Sequence, residues 1–435
     1  MYLHFLGGAR EVGRSAVLVE GSKNLLLDCG VKLGENEEYP LLDRSIIKRI
    51  NRVVVSHAHL DHSGYLPALY AFGYNGKITT TKPTRDLIQL LLADYLRLKQ
   101  DFSPYSQEDV IKCLKHTDIL EYDRGTEIVL REAGHILGSA LTEVEMDGKK
   151  IIYTGDINTR PSRLIEAART DLSGDVLIME STYGGKSDKH IPAKEAGRML
   201  IDSITQTFNE GGKVLIPTFA IGRGQEILFT LESYLRSGGL EKTPIFLDGM
   251  INKALRIYRH NAIYLKDEIK RRILTSEDDP FKSKYYLVPR TKNKEEVFET
   301  ERAIILTTSG MLNGGPVLGY LEKMAGDRKN KIVLVGYQVE GTRGRKLLEG
   351  EKSVQIDDHE IEVKMKVDLA PFTAHSDHSE LVKFVRSTDG LKKVILVHGE
   401  GRKPFELAEE LELVSEKRRH QFEVIVPELG EEIRI

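Results

Sequence analysis

The sequence predicts an α/β protein in which a strand-rich domain of stacked sheets is interrupted by an inserted domain with a parallel sheet flanked by helices. Three observations predict this: short apolar runs separated by turns fill the first half, helix and strand alternate from about Lys194, and strand-rich sequence returns after about Asp357. The 435 residues correspond to two or three domains of roughly 150 residues each. We therefore expect a discontinuous first domain over 1–190 and 360–435, and an inserted domain over 191–359.

The first half contains the strands of the predicted stacked sheets, with few helices between them. Apolar runs of strand length occur at Val17–Val19, Leu25–Asp28, Val53–Val55, Ile128–Leu130, Ile151–Tyr153 and Val176–Met179. Asp147-Gly148 lies between two further strand-like segments and is a two-residue hairpin signal, which indicates an antiparallel pair. Helical periodicity appears at Arg85–Lys99 and at Gln107–Lys115, where Ser106 can cap the second helix.

The predicted inserted domain alternates helix and strand, as parallel sheets do. Its expected helices run from about Lys194 to Asn209 and over Gln225–Arg236, and its expected strands are Val214–Pro217, Ile245–Leu247, Ile304–Leu306 and Ile332–Val335. The returning part of the first domain is expected to contain strands at Ile361–Val363 and Val394–Val397, a helix over Phe405–Arg418, and closing strands at Phe422–Val426 and Glu432–Ile435.

The composition excludes several classes of protein before any motif is considered. The residues are 40% hydrophobic and 30% charged, and 63 Lys+Arg against 66 Asp+Glu give a formal net charge of -3. The most apolar stretch, Leu87–Leu96, is shorter than the ~18 residues of a membrane span. The N-terminal segment lacks the basic region of a signal peptide, so we expect a cytoplasmic protein without membrane contacts. Because the cysteines are limited to Cys29 and Cys113, any metal must be held by His and carboxylate side chains.

The segment His57-Ala58-His59-Leu60-Asp61-His62 concentrates four metal-ligating side chains in six residues. It follows the apolar strand Arg52–Ser56, so these side chains are expected in a loop at the carboxyl end of a strand. In such a loop His57 and His59 can point at one ion, while Asp61 and His62 turn towards a neighbouring one. A solvated polar turn is the alternative, but the density of ligand-type residues favours a metal site.

Three further ligand-type residues follow apolar runs and adjoin glycine: His135, Asp156 and His398. A single residue of this kind at a strand end is more often a capping or hydrogen-bonding group. Together with the cluster, however, the set predicts two adjacent zinc sites. The first ion is expected to be bound by His57, His59 and His135. The second is expected to be bound by Asp61, His62 and His398, and Asp156 is expected to bridge the two ions.

These motifs resemble those of the metallo-β-lactamase superfamily. The order His57-x-His59-x-Asp61-His62, then His135 and Asp156, is similar to its metal-binding signature, and Asp28 in Leu27-Asp28-Cys29-Gly30 matches its earlier acidic motif. Glu180, His375 and His398 resemble motifs A, B and C of the β-CASP nucleases within that superfamily.

The resemblance covers essentially the whole chain. The amino-acid sequences of Gly7–Ser15 and Ser56–Gly64 are more similar to the nuclease subunit of the cleavage and polyadenylation specificity factor, including its archaeal homologues, than to RNase J. The resemblance implies a metallo-β-lactamase αββα sandwich with an inserted β-CASP domain, without the KH extension that some archaeal members carry.

The implied activity is hydrolysis of RNA phosphodiester bonds with two zinc ions per chain. The implied catalytic residues are Asp28, Asp61, Glu180 and His375. Asp28 would accept a hydrogen bond from a ligand imidazole or position the attacking water, unless it is merely a turn carboxylate. His375, kept protonated by a carboxylate such as Glu180, fits the general acid that protonates the departing 3′ oxygen. Asp377 and His378 lie close enough in sequence to compete for that role, and Glu180 could instead be a helix cap.

Glycine-rich turns in the inserted segment are the predicted contacts to the RNA backbone. Phe219–Glu226 joins a strand to a helix, where backbone amides can meet a phosphate and an arginine can bind it bidentately. Ser309–Gly315 has the same character, and Gly341–Arg345 adds two arginines. Each could be an ordinary tight turn, but similarity to β-CASP segments favours phosphate binding. The candidate residues are Arg223, Gly310, Gly314, Arg343 and Arg345.

Several functions stay open at this point. The leading hypothesis is a zinc-dependent endonuclease of single-stranded RNA, in RNA 3′-end processing or decay. Its rival is a 5′-to-3′ exoribonuclease of the RNase J type. A non-catalytic scaffold subunit is the hypothesis outside enzymes, although the complete ligand set argues against it. The resemblance further implies a homodimer and membership of an RNA-processing complex.

Overall fold

The computed structural model describes residues 1–34, 36–99, 102–275, 278–290, 294–339 and 341–435. The described chain divides into two compact units. Unit 1 comprises Met1–Pro161, Ile165–Lys189 and His375–Ile435, and unit 2 comprises Ser162–Leu164 and His190–Ala374. None of the described helices is both long and apolar enough to cross a membrane.

The first part of unit 1 supplies most of its strands. They are β1 Tyr2–Gly7, β2 Ala16–Glu20, β3 Asn24–Leu27, β4 Arg52–Val54, β5 Lys77–Thr80, β6 Thr117–Ile119, β7 Ile128–Glu132, β8 Ala140–Met146, β9 Lys149–Tyr153 and β10 Val176–Glu180. The helices are α1 Arg44–Arg49, α2 Leu60–Ser63, α3 Leu66–Ala71, α4 Lys82–Lys99 and α5 Gln107–Lys115. The predicted cap Ser106 accepts a hydrogen bond from the Asp109 backbone N–H, so α5 begins where the sequence predicts. The predicted hairpin joins β8 to β9, with φ of 50° at Asp147 and 72° at Gly148, as a type I′ turn requires.

The strands of unit 2 are β11 Val214–Pro217, β12 Ile245–Leu247, β13 Tyr286–Leu287, β14 Ile304–Thr307, β15 Lys331–Val335, β16 Ser353–Ile356, β17 His359–Glu362 and β18 Lys366–Ala370. Its helices are α6 Ala193–Asn209, α7 Arg223–Ser237, α8 Ile251–His260, α9 Asp267–Thr275, α10 Glu295–Glu299, α11 Pro316–Met324 and α12 Arg343–Leu348, with a 3₁₀ turn at Ala262–Tyr264. The chain then completes unit 1 with α13 His378–Ser387, β19 Lys393–Val397, α14 Lys403–Glu416, β20 Glu423–Ile425 and β21 Glu432–Arg434.

Unit 1 is an αββα sandwich. One sheet has the order β21-β1-β2-β3-β4-β5-β6 and the other the order β20-β19-β10-β9-β8-β7. Alternate residues of both sheets, such as Val17 with Val19 and Ile151 with Tyr153, form the buried core between them. On its outer face the second sheet packs against α13 and α14 through residues such as Leu381 and Leu407. The fold implied by the resemblance is thus confirmed for this unit.

Parallel pairing in unit 1 brings several strand ends to the same edge. In the second sheet β9, β10 and β19 are parallel neighbours, and in the first sheet β3 and β4 are parallel neighbours. Side chains that directly follow parallel strands lie at one edge of the sheet, where sites of α/β proteins form. The candidate residues Asp28, His57, Asp156, Glu180 and His398 all stand at such ends.

Unit 2 is built on a parallel six-stranded sheet in the order β13-β12-β14-β11-β15-β18. Its core joins strand residues such as Leu215 and Ile305 to helix residues such as Tyr320 and Leu321. The expected inserted parallel sheet is therefore present, and the loops after β11, β14 and β15 share one edge.

The boundary between the two parts differs from the expected one. The sequence interpretation returned the chain to the first domain at residue 360, whereas unit 2 extends to Ala374. The reason is strand pairing: β17 forms an antiparallel hairpin with β16, and β18 pairs in parallel with β15. Residues 162–164 likewise cluster with unit 2, because Arg163 N donates to Glu226 Oε1 at 2.7 Å and Leu164 O accepts from Lys266 N at 2.9 Å.

Candidate metal centre

Three imidazoles from separate parts of unit 1 converge. His57 follows β4, His59 stands just before α2, and His135 lies between β7 and β8. His59 Nδ1 is 3.2 Å from His57 Nε2 and 3.1 Å from His135 Nε2. Nitrogen ligands of a tetrahedral zinc ion, each at ~2.0–2.1 Å from the metal, are about 3.3 Å apart. These two distances are therefore those expected of ligands of one metal ion, and the ligand atoms of all three histidines lie within 4.8 Å of one another.

Asp156 stands between this group and a second one. Its Oδ2 is 3.5 Å from both His57 Nε2 and His135 Nε2. Its Oδ1 is 3.3 Å from His62 Nε2 and 3.2 Å from His398 Nδ1. Each oxygen of one buried carboxylate thus faces a different set of imidazoles, which is the arrangement of a bridging ligand.

Asp61 lies beside the second group. Its Oδ2 is 3.4 Å from His398 Nε2. Ligand atoms of His62, Asp156 and His398 lie within 4.8 Å of one another, and Asp61 satisfies the same criterion with His57 and His62. The structure therefore brings all seven residues of the predicted ligand set together in unit 1, with a ligand atom of Asp61 within 4.8 Å of members of both groups.

Unpartnered polar atoms test whether metal ions fit this arrangement. His59 Nε2, His62 Nε2, His398 Nε2 and Asp156 Oδ1 are buried and have no hydrogen-bond partner among the described residues. Burying such atoms without partners is unfavourable, and native proteins rarely leave them so. Cations bound by nitrogen and carboxylate oxygen would satisfy several of these atoms at once. The donor set therefore fits a pair of divalent ions.

The charges of the centre support the same conclusion. Burial lowers the pKa of His57 and of His59 below the usual range, which favours the neutral imidazole that metals require. Burial also acts to lower the pKa of His62 and His398, but nearby carboxylates, Asp156 first, outweigh it and raise both. The carboxylates thus favour positive charge at these two imidazoles, and a bound cation would supply it.

The two carboxylates of the centre stay ionised despite their surroundings. Burial acts to raise the pKa of Asp61, but His62 and then His398 outweigh it and lower the pKa. Burial acts on Asp156 in the same way, and His398, His62 and His57 together hold its pKa well below the usual value. Both side chains are therefore available as anionic ligands.

Asp28 fixes the orientation of His62. Its Oδ2 accepts from His62 Nδ1 at 2.7 Å, so the opposite ring nitrogen, Nε2, faces Asp156. The same carboxylate accepts from the Ser56 backbone N–H and hydroxyl, both at 2.7 Å, and from Tyr153 OH at 2.8 Å. Four donors thus saturate a fully buried carboxylate, as is typical of groups that orient metal ligands.

Gly30 explains how the ligand loop comes so close to Asp28. A Cβ added to Gly30 would lie 1.7 Å from the Asp61 carbonyl oxygen. The Cys29 backbone N–H donates to His62 O at 2.9 Å across the same contact. Sequence reasoning did not identify Ser56 and Tyr153 as supports of this site. Their positions in the sequence could have indicated this role, because each residue lies at or just beyond the end of a strand that precedes a metal ligand.

His375 and Glu180 form a separate pair beside the centre. His375 Nδ1 is 3.0 Å from both oxygens of Glu180, which ends β10 and is fully buried. The other nitrogen, His375 Nε2, is 4.0 Å from Asp156 Oδ2. Glu180 Oε1 also accepts from the Ile157 backbone N–H at 2.6 Å. The carboxylate therefore holds one side of the ring while the other side faces the centre.

The two neighbours that competed with His375 are engaged elsewhere. Asp377 caps α13 by accepting from the Glu380 backbone N–H at 3.1 Å, and it pairs with Arg160 at 3.2 Å. His378 Nδ1 donates to Gly184 O at 2.7 Å. Of the histidines near this point in the sequence, His375 is therefore the one directed at the cluster.

The predicted RNA contacts lie in unit 2, on loops that pack together. Arg223 begins α7 after β11, and a Cβ at Gly310 would be 3.1 Å from the Phe219 backbone nitrogen. Gln338 Nε2 donates to Gly310 O at 3.2 Å. The loops after β11, β14 and β15 thus form one surface at the carboxyl edge of the parallel sheet.

Gly314 and Arg345 make contacts within their own loop or helix, whereas Arg343 contacts a neighbouring loop. Gly314 O accepts from Ser309 Oγ at 3.0 Å. Arg343 donates to Leu312 O at 3.1 Å, and Arg345 pairs with Glu349 at 2.7 Å on the same helix. Arg343 is thereby tied to the loop after β14, whereas Arg345 is held by an ion pair within α12.

Three stretches of the chain match models of known domain families. Residues 17–181 match a metallo-beta-lactamase superfamily domain, residues 224–347 a Beta-Casp domain, and residues 360–427 a Zn-dependent metallo-hydrolase RNA specificity domain. The third match starts inside unit 2 and continues into unit 1.

Archaeal proteins are among those with similar sequences. An "RNase J-like protein" of Methanocaldococcus jannaschii is 42% identical over 408 residues, which is 92% of this chain and 92% of that protein. "Transcription termination factor FttA" of the same organism is 38% identical over 441 residues, covering 96% of this chain and 69% of that protein. A solved structure from Enterococcus faecalis V583, of a protein of unknown function, covers 99% of both chains with a TM-score of 0.60 at 13% identity, which shows a shared fold.

Proposed function

This chain belongs to the β-CASP family of the metallo-β-lactamase superfamily, and from that premise we propose that it is a zinc-dependent endoribonuclease of single-stranded RNA. The family establishes the coarser statement, a metal-dependent hydrolase that acts on RNA. The observation that carries the proposal is the pair of imidazole groups sharing Asp156, because two adjacent metals suit phosphodiester hydrolysis. A role in RNA 3′-end processing or decay would place the reaction in the cytoplasm.

We assign two zinc ions per chain to the centre. One would be held by His57, His59 and His135, the other by Asp61, His62 and His398, with Asp156 shared. When bound, such a pair activates water for attack and neutralises charge that develops on the phosphate. Imidazole and carboxylate ligands suit zinc, and no thiolate is needed.

The remaining chemistry belongs to side chains of this protein. Asp28 holds His62 in one tautomer and orientation. His375 would donate a proton from Nε2 to the departing 3′ oxygen, while Glu180 keeps the opposite nitrogen protonated and fixes the ring. Cleavage would leave 5′-phosphate and 3′-hydroxyl ends. The loops after β11, β14 and β15 would hold the RNA backbone through Arg223, Arg343 and backbone amides.

The relative named RNase J-like supports the alternative of a 5′-to-3′ exoribonuclease, since it matches over nearly all of both chains. An internally labelled RNA prepared with a 5′-hydroxyl or a 5′-monophosphate separates the two activities. We expect equal initial rates on both forms and cleavage of a circular RNA of the same sequence. A preference of tenfold or more for the monophosphate, with no cleavage of the circle, would establish the exonuclease instead. Homodimer formation and an RNA-processing complex stay predictions.

Replacing Tyr153 with Phe should weaken zinc binding by about tenfold without changing the number of ions bound at saturation. Loss of one donor loosens Asp28 and hence His62, and supports of this kind are typically worth 10–100-fold in metal affinity. Competition with a chromophoric chelator measures the change. Tyr70→Phe is the matched control, since the Tyr70 hydroxyl donates to Gly76 O at 3.1 Å, away from the centre. Equal effects of both substitutions would remove Tyr153 from the support of the site.

Replacing Arg223 with Ala should weaken RNA binding and make it less sensitive to salt. Each phosphate contact to a single strand contributes about 0.7 to the slope of log affinity against log salt, so the slope should fall by that amount. Filter binding of a non-cleavable RNA at several salt concentrations measures it. Arg198→Ala, at an exposed position of α6 in the same unit, should leave the slope unchanged. An unaltered slope in both variants would mean that the loop is an ordinary turn.

A further inference from the structure

Unit 2 contains a cavity of about 730 Å³ that none of the roles above uses. It is lined by Ser162 and Arg163, by residues of α7 from Phe229 to Ser237, and by residues of α9 together with Lys266. Ser233, which lines it, stands ten residues after Arg223 on α7, or about 15 Å along the helix axis. The cavity is therefore separate from the loops at the carboxyl edge of the parallel sheet.

Cations that line the cavity are incompletely neutralised. Arg163 and Arg272 both lie against the Phe229 ring, with their guanidinium carbons 5.4 and 5.6 Å from its centroid. Arg163 donates to Ser233 Oγ at 3.1 Å, and Lys266 Nζ donates to Ser162 O at 2.5 Å. Neither Arg163 nor Lys266 forms an ion pair with a carboxylate in the described part of the chain. Both can therefore bind an anion without breaking a salt bridge.

A buried carboxylate, Glu232, belongs to the same wall. Glu232 Oε1 pairs with Arg272 at 3.0 Å, so the charge of this carboxylate is compensated. Its Oε2 is buried and has no hydrogen-bond partner among the residues that the structure describes. An atom with so little accessible surface is closed to a molecule in the cavity, so Glu232 neutralises Arg272 and offers no acceptor to a ligand. A ligand that fits the cavity would thus present an anion to Arg163 and Lys266.

We propose that this cavity binds a phosphate-bearing ligand of nucleotide size. Ligand pockets typically enclose about 300–1,000 Å³, and the cavity lies within that range. A guanidinium fork, an ammonium and serine hydroxyls are suited to phosphate oxygens, and the remaining volume accommodates a sugar and a base. A free mononucleotide and the terminal nucleotide of an RNA strand share this chemistry. The site goes beyond the nuclease activity and does not depend on it.

Calorimetric titration of the full chain with adenosine 5′-monophosphate, and with adenosine as the unphosphorylated reference, tests the site. We expect the monophosphate to bind at least tenfold more tightly than adenosine. Arg163→Gln and Lys266→Gln should each weaken binding of the monophosphate by about tenfold, which is the effect of losing one charge-assisted hydrogen bond. Arg271→Gln is the matched control, since it removes an exposed cation of α9 that does not line the cavity.

Ser237→Glu provides a test that stays valid if the Arg163 and Lys266 variants fail to fold. Ser237 is exposed at the rim, so a carboxylate there should leave circular dichroism unchanged and repel the phosphate, again weakening binding about tenfold. Absence of binding at millimolar monophosphate, or binding that none of the three cavity variants alters, would overturn the proposal. Titration with pentaadenylate, with and without a 5′-phosphate, distinguishes the sources. Binding that requires the phosphate and is about tenfold weaker in Arg163→Gln assigns the site to RNA ends. Absence of binding by either pentaadenylate assigns it to free nucleotide. The readout is affinity rather than cleavage, so this test and the nuclease assay can fail separately.

Discussion

Replacing Asp61 or His62 with Ala should abolish RNA hydrolysis while leaving RNA binding largely intact. Each substitution removes a proposed ligand from the second ion, and metal catalysis contributes several kcal/mol, so the rate should fall by about 10³-fold or more. RNA affinity should persist, because the proposed backbone contacts lie on the loops of unit 2 rather than among these ligands. Single-turnover cleavage and filter binding on the same preparations measure the two quantities.

Metal content provides the independent check on that result. The unaltered protein should hold close to two zinc ions per chain, prolonged chelation should abolish cleavage, and each ligand variant should hold fewer ions. Asp171→Ala, which removes an exposed carboxylate paired with Arg169, should change neither metal content nor rate. Full activity in chelator with almost no bound metal would rule out the two-zinc centre. Loss of RNA binding together with cleavage in folded protein would contradict the assignment of binding to unit 2.

The metal cluster was predictable because much of it is local in sequence. His57, His59, Asp61 and His62 occupy one short loop, and a loop needs no knowledge of tertiary structure to bring its own side chains together. The pairing of Glu180 with His375 bridges 195 positions, and only the resemblance to known motifs could suggest it. Sequence spacing could not show that the two oxygens of Asp156 face different groups of imidazoles, and the structure does show it.

Unit 2 of the structure ends at Ala374, beyond the predicted boundary at residue 360, because a strand pattern does not identify its partner. By composition the residues of β18 could pair in a sheet of either unit. Packing between residues that are distant in sequence determines that β18 pairs with β15. The same limit hid Tyr153, a strand residue whose hydroxyl meets Asp28 across 125 positions. It also hid the cavity of unit 2, whose walls come from three separated stretches. In the sequence, Arg272 is part of a run of basic residues that is typical of a solvent-exposed helix face, so nothing marks it as lining a cavity.

Replacing His375 with Ala should lower the cleavage rate by about 10²- to 10⁴-fold, the usual contribution of a positioned general acid. The variant should retain both zinc ions and its RNA affinity, because His375 contacts Glu180 and only approaches Asp156, at 4.0 Å. Single-turnover rates on an RNA of defined sequence, with metal content determined on the same sample, measure the effect. His378→Ala is the matched control and should be nearly neutral in rate, since its ring donates to Gly184 O.

A substrate whose scissile 3′ oxygen is replaced by sulfur separates proton donation from other roles of His375. A thiolate leaves without needing a proton, so the variant should recover most of its activity on this substrate, whereas the Asp61→Ala variant should not. Ligand-type atoms of Asp156, Glu180 and His375 lie within 4.8 Å of one another, so a metal-binding role is the structural alternative. Loss of a zinc ion in His375→Ala would support that alternative, and retained zinc without rescue by sulfur would reduce the residue to a structural element. Rescue with both ions in place is the outcome that only a general acid explains.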